Sequence, residues 1–178
     1  MSSFGKNFAI LNLDLMTVLI DTVKDTPEGR SFVSNCSRWN KAVHQVTPRP
    51  LIIFSSLQFH HGEPELAEGA PFSKLIEGYG TFAADSPGVQ IHPKFVIDDK
   101  NLVLQKTRWY AGAGNRLEQI LLSQKINTVI IVRHPFTPLI SENHLTQNVE
   151  VRIKPFWSCP EHGLPVIRPG LSHICDRR

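Results

Sequence analysis

Cysteine is scarce in this chain and does not pair by spacing: Cys36, Cys159 and Cys175 are odd in number and form no CxxC. Such a set argues against a disulfide framework and against a structural zinc, and it fits a reducing compartment. Long apolar runs are also lacking. No stretch approaches the roughly 20 residues needed to span a bilayer, and MSSFGKNFAIL at the N-terminus has neither the long apolar region nor the cleavage site of a signal peptide. A cytoplasmic chain with no membrane partner is expected. Charge of one sign is missing too, with 19 Lys and Arg against 16 Asp and Glu, a net charge of +3, and no basic run or stripe interleaved with aromatics. No nucleic-acid partner is therefore expected.

What is present suits one domain with a substantial core: 178 residues, of which 41% are hydrophobic and 20% charged. Phe8 to Leu13 is a nearly continuous apolar run, the pattern of a parallel strand buried on both faces, and it should be central. Thr26, Pro27 and Glu28 supply an N-cap, a proline at the first helical position and an acid in the first turn, so a helix is predicted from Pro27 to about His44. Phe32, Val33, Cys36, Trp39 and Val43 share its inner face. Cys36 on that stripe reads as a small packed hydrophobe and not as a nucleophile.

A second apolar strand is predicted over Leu51 to Leu57, after prolines that a central ladder would not hold. Pro71 to Tyr79 suggests a short helix ending at Gly80, and the polar segment to His92 a long surface excursion. Leu102 to Gln105 is the third strand. Asn115 with Glu118 resembles a capping box opening a helix to Gln124, with Leu117, Ile120 and Leu121 facing the sheet. Thr128 to Val132 is a fourth, fully apolar strand. Strands alternating with helices give an α/β class: a three-layer, Rossmann-like open parallel sheet with helices on both faces, incomplete after the fourth strand.

Two polar residues end strands at the edge where such sheets bind ligands: Asp14 after the first and Lys106 after the third. Either alone is ordinary, the aspartate as a turn residue and the lysine as a solvated strand end. Trp109 and Tyr110 follow the lysine and are candidate substrate-binding aromatics, with packing as the alternative role. His60 and His61 are adjacent, and adjacent histidines rarely share one ion, so no metal is expected. The AGAG run at Ala111 to Gly114 lacks the full dinucleotide fingerprint and reads as a tight turn, so no cofactor is expected.

The order of Asp14 after AILNL, Lys106 within LVLQKTRWYAGAGNRLEQIL, and the following NTVIIV resembles the isochorismatase-like hydrolases, also called the cysteine hydrolase family, over roughly residues 7 to 132. The resemblance implies a hydrolase acting on a small molecule, with Asp14 and Lys106 as catalytic residues. In that family a turn and helix bearing a cysteine nucleophile follow the last strand, whereas this chain continues RHPFTPL. A carboxylate takes the thiol's proton in the cysteine mechanism. In the isochorismatase branch the resemblance instead implies proton donation from the aspartate to a vinyl ether. Amide, ester and vinyl ether stay open as substrates, and a non-catalytic small-molecule-binding or interaction domain on the same scaffold is the alternative. Homo-oligomer formation is also left open.

Residues 133 to 178 hold six of the thirteen prolines and show no helical or strand period, so no core element is expected there. The domain is accordingly placed at 1–132 and an irregular tail at 133–178. Degenerate codons for the tail are compatible with a retained intron followed by a shifted frame, which would truncate the domain and remove the nucleophile-bearing helix.

Overall fold

The computed structural model describes residues 7–133 and the backbone of 149–150. The tail, apart from Arg133 and those two residues, lies outside the described residues, and so does its reading as an intron and shifted frame.

Strand β1 (Phe8–Leu13) is followed by the single-turn helix α1 (Thr17–Asp21) and the long helix α2 (Pro27–His44). Strand β2 (Leu51–Leu57), the short helix α3 (Pro71–Ile76), strand β3 (Leu102–Lys106), helix α4 (Leu117–Ser123) and strand β4 (Thr128–Arg133) complete the body. The sheet order is β3-β2-β1-β4, parallel throughout, with β1 inside as its apolar run requires. A two-residue strand β5 (Val149–Glu150) pairs antiparallel with Ile131 and Val132. The parallel sheet itself ends at β4, as the sequence predicts. Backbone groups on the outer edge of β4 can pair with any extended segment, whatever its side-chain period.

The two faces of the sheet bury separate clusters. Ile10, Ile52, Phe54, Ile130 and Val132 meet Phe32, Val33, Cys36 and Val43 of α2 on one face, with Trp39 partly buried against them. Ala9, Leu11 and Ile53 meet Leu117 and Leu121 of α4 on the other. Alternating side chains of each strand thus feed two helical layers.

Helix α2 begins where its local signals place it: Thr26 Oγ1 accepts from Gly29 N–H at 3.0 Å, with Pro27 and Glu28 in the first turn. Gly29 fills a place no side chain can occupy, because a Cβ there would lie 1.8 Å from the carbonyl oxygen of Val23. Gly29→Ala should therefore destabilise the chain by ~3 kcal/mol, since the contact is with backbone and cannot rotate away. Urea unfolding of the two chains measures it, and a difference near zero would contradict this packing.

Helix α4 departs from its expected start. Arg116 is the N-cap residue, and Glu118 accepts a hydrogen bond from the Tyr110 hydroxyl and does not close a capping box. The Asn115 amide is held by the carbonyls of Gln105 and Ala111, which keeps Asn115 in the preceding turn. The segment before His92 also departs from a plain surface excursion, because Phe82 and Val89 are buried in a third cluster. It is laid back on the sheet edge by bonds of 2.9 Å from Phe59 N–H to Phe82 O, Ala84 N–H to Phe59 O, and Thr17 N–H to Gln90 O.

Candidate functional site

Parallel strands present their carboxyl ends on one edge, and the chain reverses its direction of travel across the sheet between β1 and β4. Open α/β sheets bind ligands outside such a point. Leu13 is level with Arg133 there, and Asp14 is the first residue beyond β1.

Asp14 has a φ of 60°, a left-handed conformation that aspartate tolerates better than most residues, and its side chain turns inward to 4% exposure. Lys106, the last residue of β3, is 1% exposed. Its Nζ lies 2.8 Å from Asp14 Oδ1, donates to the carbonyl of Trp109 at 3.1 Å, and stands 5.5 Å from the Trp109 ring centroid. The contact with Oδ1 is an ion pair without aligned hydrogen-bond geometry, and among the described residues no other donor serves that oxygen. Burial pushes the Asp14 carboxyl above its ordinary range, and the adjacent Lys106 ammonium offsets only part of this. A carboxyl held above its ordinary range is a candidate to carry a transferable proton.

The aromatics after Lys106 part company. Trp109 turns toward the ion pair and packs edge-on against Phe72 of α3, with centroids 5.7 Å apart, while its buried Nε1–H has no acceptor among the described residues. Tyr110 is half exposed and gives its hydroxyl to Glu118 of α4, away from Lys106. Burial, then the Glu118 contact, pushes the Tyr110 phenol up to about 12.

The rim is closed by ties between loops. Arg108 donates to Glu65 O at 3.0 Å and stacks its guanidinium 5.2 Å from the Phe72 centroid, and Gln105 Nε2 donates to Gln58 O at 3.2 Å. His60 meets the Glu65 carboxylate through both its ring Nδ1 and its backbone N–H, which holds that carboxyl below the usual range. Phe72 and Asn115 belong to this neighbourhood and carry no sequence signal beyond a helix start and a cap.

Cys36, among the described residues the sole cysteine, sits inside α2 against the sheet face, with burial pushing its thiol up to about 12. It is a packing group, since the reactive form is the thiolate. An open depression of about 520 Å³ lies elsewhere, lined by Thr17, Val18, Asp21, Thr22, Tyr79, Pro87 and Gly88. It holds neither Asp14 nor Lys106. Its lining includes no buried charge.

The family model for the Isochorismatase domain matches residues 8–132, well over half of the chain. The chain belongs to the isochorismatase family. Solved structures agree on the fold. An isochorismatase-like hydrolase from Alkaliphilus metalliredigens superposes with a TM-score of 0.54 at 14% identity, over 72% of this chain and 66% of that one. N-carbamoylsarcosine amidase from Thermoplasma acidophilum gives 0.55 at 18% identity, over 72% and 68%. A cysteine hydrolase from Pseudomonas syringae pv. phaseolicola gives 0.59 at 10%, over 72% and 59%. The match thus spans about three fifths to two thirds of the length of these three proteins. No curated protein matches the sequence. No described helix is long and apolar enough to cross a membrane.

Proposed function

We propose that this isochorismatase-family domain hydrolyses a small molecule, an amide, ester or vinyl ether, with Asp14 as the proton-transfer residue and Lys106 as its electrostatic partner. The observation that supports this reading is the buried ion pair at the carboxyl edge of the sheet, 2.8 Å across, with the aspartate held above its ordinary range. Trp109 would line the substrate side through its ring and its Nε1–H, which has no acceptor among the described residues. Tyr110 is a weaker candidate for that role, since its hydroxyl is already taken.

Of the three substrate classes the vinyl ether asks least of the chain. Asp14 protonates the terminal vinyl carbon, the ether oxygen's lone pair forms the oxocarbenium ion, and water adds to the cationic carbon and returns a proton to the carboxylate. The hemiketal then separates into a carbonyl compound and an alcohol. No thiol enters that sequence. Amide and ester cleavage by the cysteine route would be impaired here, because RHPFTPL supplies no cysteine after β4. The domain assignment to 1–132, followed by a tail that lacks the nucleophile-bearing helix, belongs to this proposal.

A second reading, a non-catalytic binding or interaction domain, is favoured by the closure of the pair, with Asp14 and Lys106 only 4% and 1% exposed. Incubating the full chain with panels of vinyl ethers, amides and esters, and following products by NMR, separates the two. Hydrolysis of a vinyl ether that falls by about 10²–10⁴-fold in Asp14→Asn supports the acid role. No turnover of any class by the parent chain would leave binding as the surviving function.

A further inference from the structure

Between β3 and α4 the chain turns through Thr107 to Arg116, and one side chain fixes the turn. Asn115 Nδ2 donates to Gln105 O at 2.7 Å and to Ala111 O at 2.8 Å, while its Oδ1 accepts from Leu117 N–H at 2.9 Å. A single planar amide therefore joins the end of β3, the middle of the turn and the first residue of α4. Backbone bonds from Thr107 N–H to Ala113 O, 3.3 Å, and from Ala113 N–H to Tyr110 O, 3.1 Å, tighten it further. Gly114 takes a φ of 78°, which most side chains would resist, and a Cβ on Gly112 would come within 2.9 Å of the Tyr110 ring.

The turn so held carries the Trp109 carbonyl that accepts from Lys106 Nζ and the ring beneath that ammonium. An ammonium on a flexible four-carbon stem keeps one direction only when its acceptors are themselves fixed. Asp14, just beyond β1, supplies the opposing charge, and Trp109 O supplies an acceptor from the turn.

We propose that Asn115 is a positioning residue for Lys106: by clamping the carbonyls of Gln105 and Ala111 it fixes the Trp109 carbonyl and ring that aim the ammonium at Asp14. A helix cap alone would need only the bond to Leu117 N–H, which serine or threonine can also accept. Donating to two carbonyls while accepting from a third group takes a short side-chain amide. This inference rests on reading Asp14 and Lys106 as the functional pair.

The test is Asn115→Ser in the full chain, with the Asp14 carboxyl titrated by carbon-13 NMR and thermal melting followed in parallel. Serine keeps the acceptor for α4 and removes the amide donor. Asp14 stays enclosed because β1 and its own turn hold it, so loosening Lys106 should show as loss of the opposing charge: the Asp14 midpoint moves upward while melting remains cooperative. An unchanged or lowered midpoint in the folded variant overturns the proposal. Asn115→Thr provides a second neutral cap with the same readout, and if neither variant melts cooperatively while the parent does, Asn115 is a folding residue and the proposal falls. The titration reads the pair without turnover. A parent chain inactive on every substrate class would therefore sink the hydrolase reading and leave the Asn115 result standing.

Discussion

Lys106→Met is expected to cost about 3–5 kcal/mol of folding stability at neutral pH, because it leaves the Asp14 carboxylate buried without its countercharge. Methionine keeps most of the side-chain volume, so the loss reports the unpaired charge and not a cavity. In a chain of this size that corresponds to a fall in Tm of about 10 °C. Asp14 can relieve the penalty by taking up a proton, so the difference between parent and variant should shrink as the pH is lowered. Removing both charges in Asp14→Asn with Lys106→Met should recover most of the loss, since a buried ion pair taken out whole is often nearly neutral. Asparagine suits the left-handed backbone at position 14. Urea unfolding of the four chains forms a complete cycle. If Lys106→Met unfolds with the parent, or the double variant is as unstable as Lys106→Met, the pair is not a coupled buried unit.

The pH dependence carries the second large effect and runs opposite to that of a surface carboxylate. Asp14 in the folded chain holds its proton to higher pH than the ordinary value of 3.8, with burial as the main cause. The unfolded chain releases that proton first, so between the two midpoints the native state binds more protons. The Asp14 contribution to stability is thus fully present below the ordinary carboxylate range and declines as pH rises through the raised native midpoint. Asp14→Asn removes that slope, which a comparison of the two stability profiles measures directly. The same protonation governs the proposed chemistry. If a neutral Asp14 donates the proton, the rate should fall with rising pH through its native midpoint, and a rate that climbs over that interval would assign Asp14 to base catalysis. A flat rate profile would remove it from the proton-transfer step.

Local signals were enough wherever the chain's own neighbours decide the outcome. The apolar run of β1 and the Thr26–Pro27–Glu28 start of α2 act within a few residues, and the helix runs over Pro27–His44 as those residues predict. The start of α4 was legible only in part, because Asn115 Oδ1 does accept from Leu117 N–H. Asn115 and Glu118 look like a capping box in sequence, yet the amide of one is taken by two carbonyls of the preceding turn and the carboxylate of the other by Tyr110. Both competitors come from the turn's folded shape, which spacing alone does not show. The segment before His92 misled for a related reason. Its polar composition concealed Phe82 and Val89, which are buried only because the chain folds back on Met16, Leu57 and Phe59.

The sequence by itself determined the class of sheet, the order of its strands along the chain, and the fact that an aspartate and a lysine end two of them. Each follows from short-range pattern: continuous apolar runs, caps, and polar residues at strand ends. Only the tertiary structure decided that Asp14 and Lys106 meet. β2 lies between their strands in the order β3-β2-β1-β4, so the contact depends on Lys106 reaching across Leu57 to a residue turned inward by left-handed backbone. The same long-range packing turned Trp109 toward the pair and Tyr110 away from it. It also raised the Asp14 carboxyl, because the desolvation that does so comes from residues distant in sequence that enclose it.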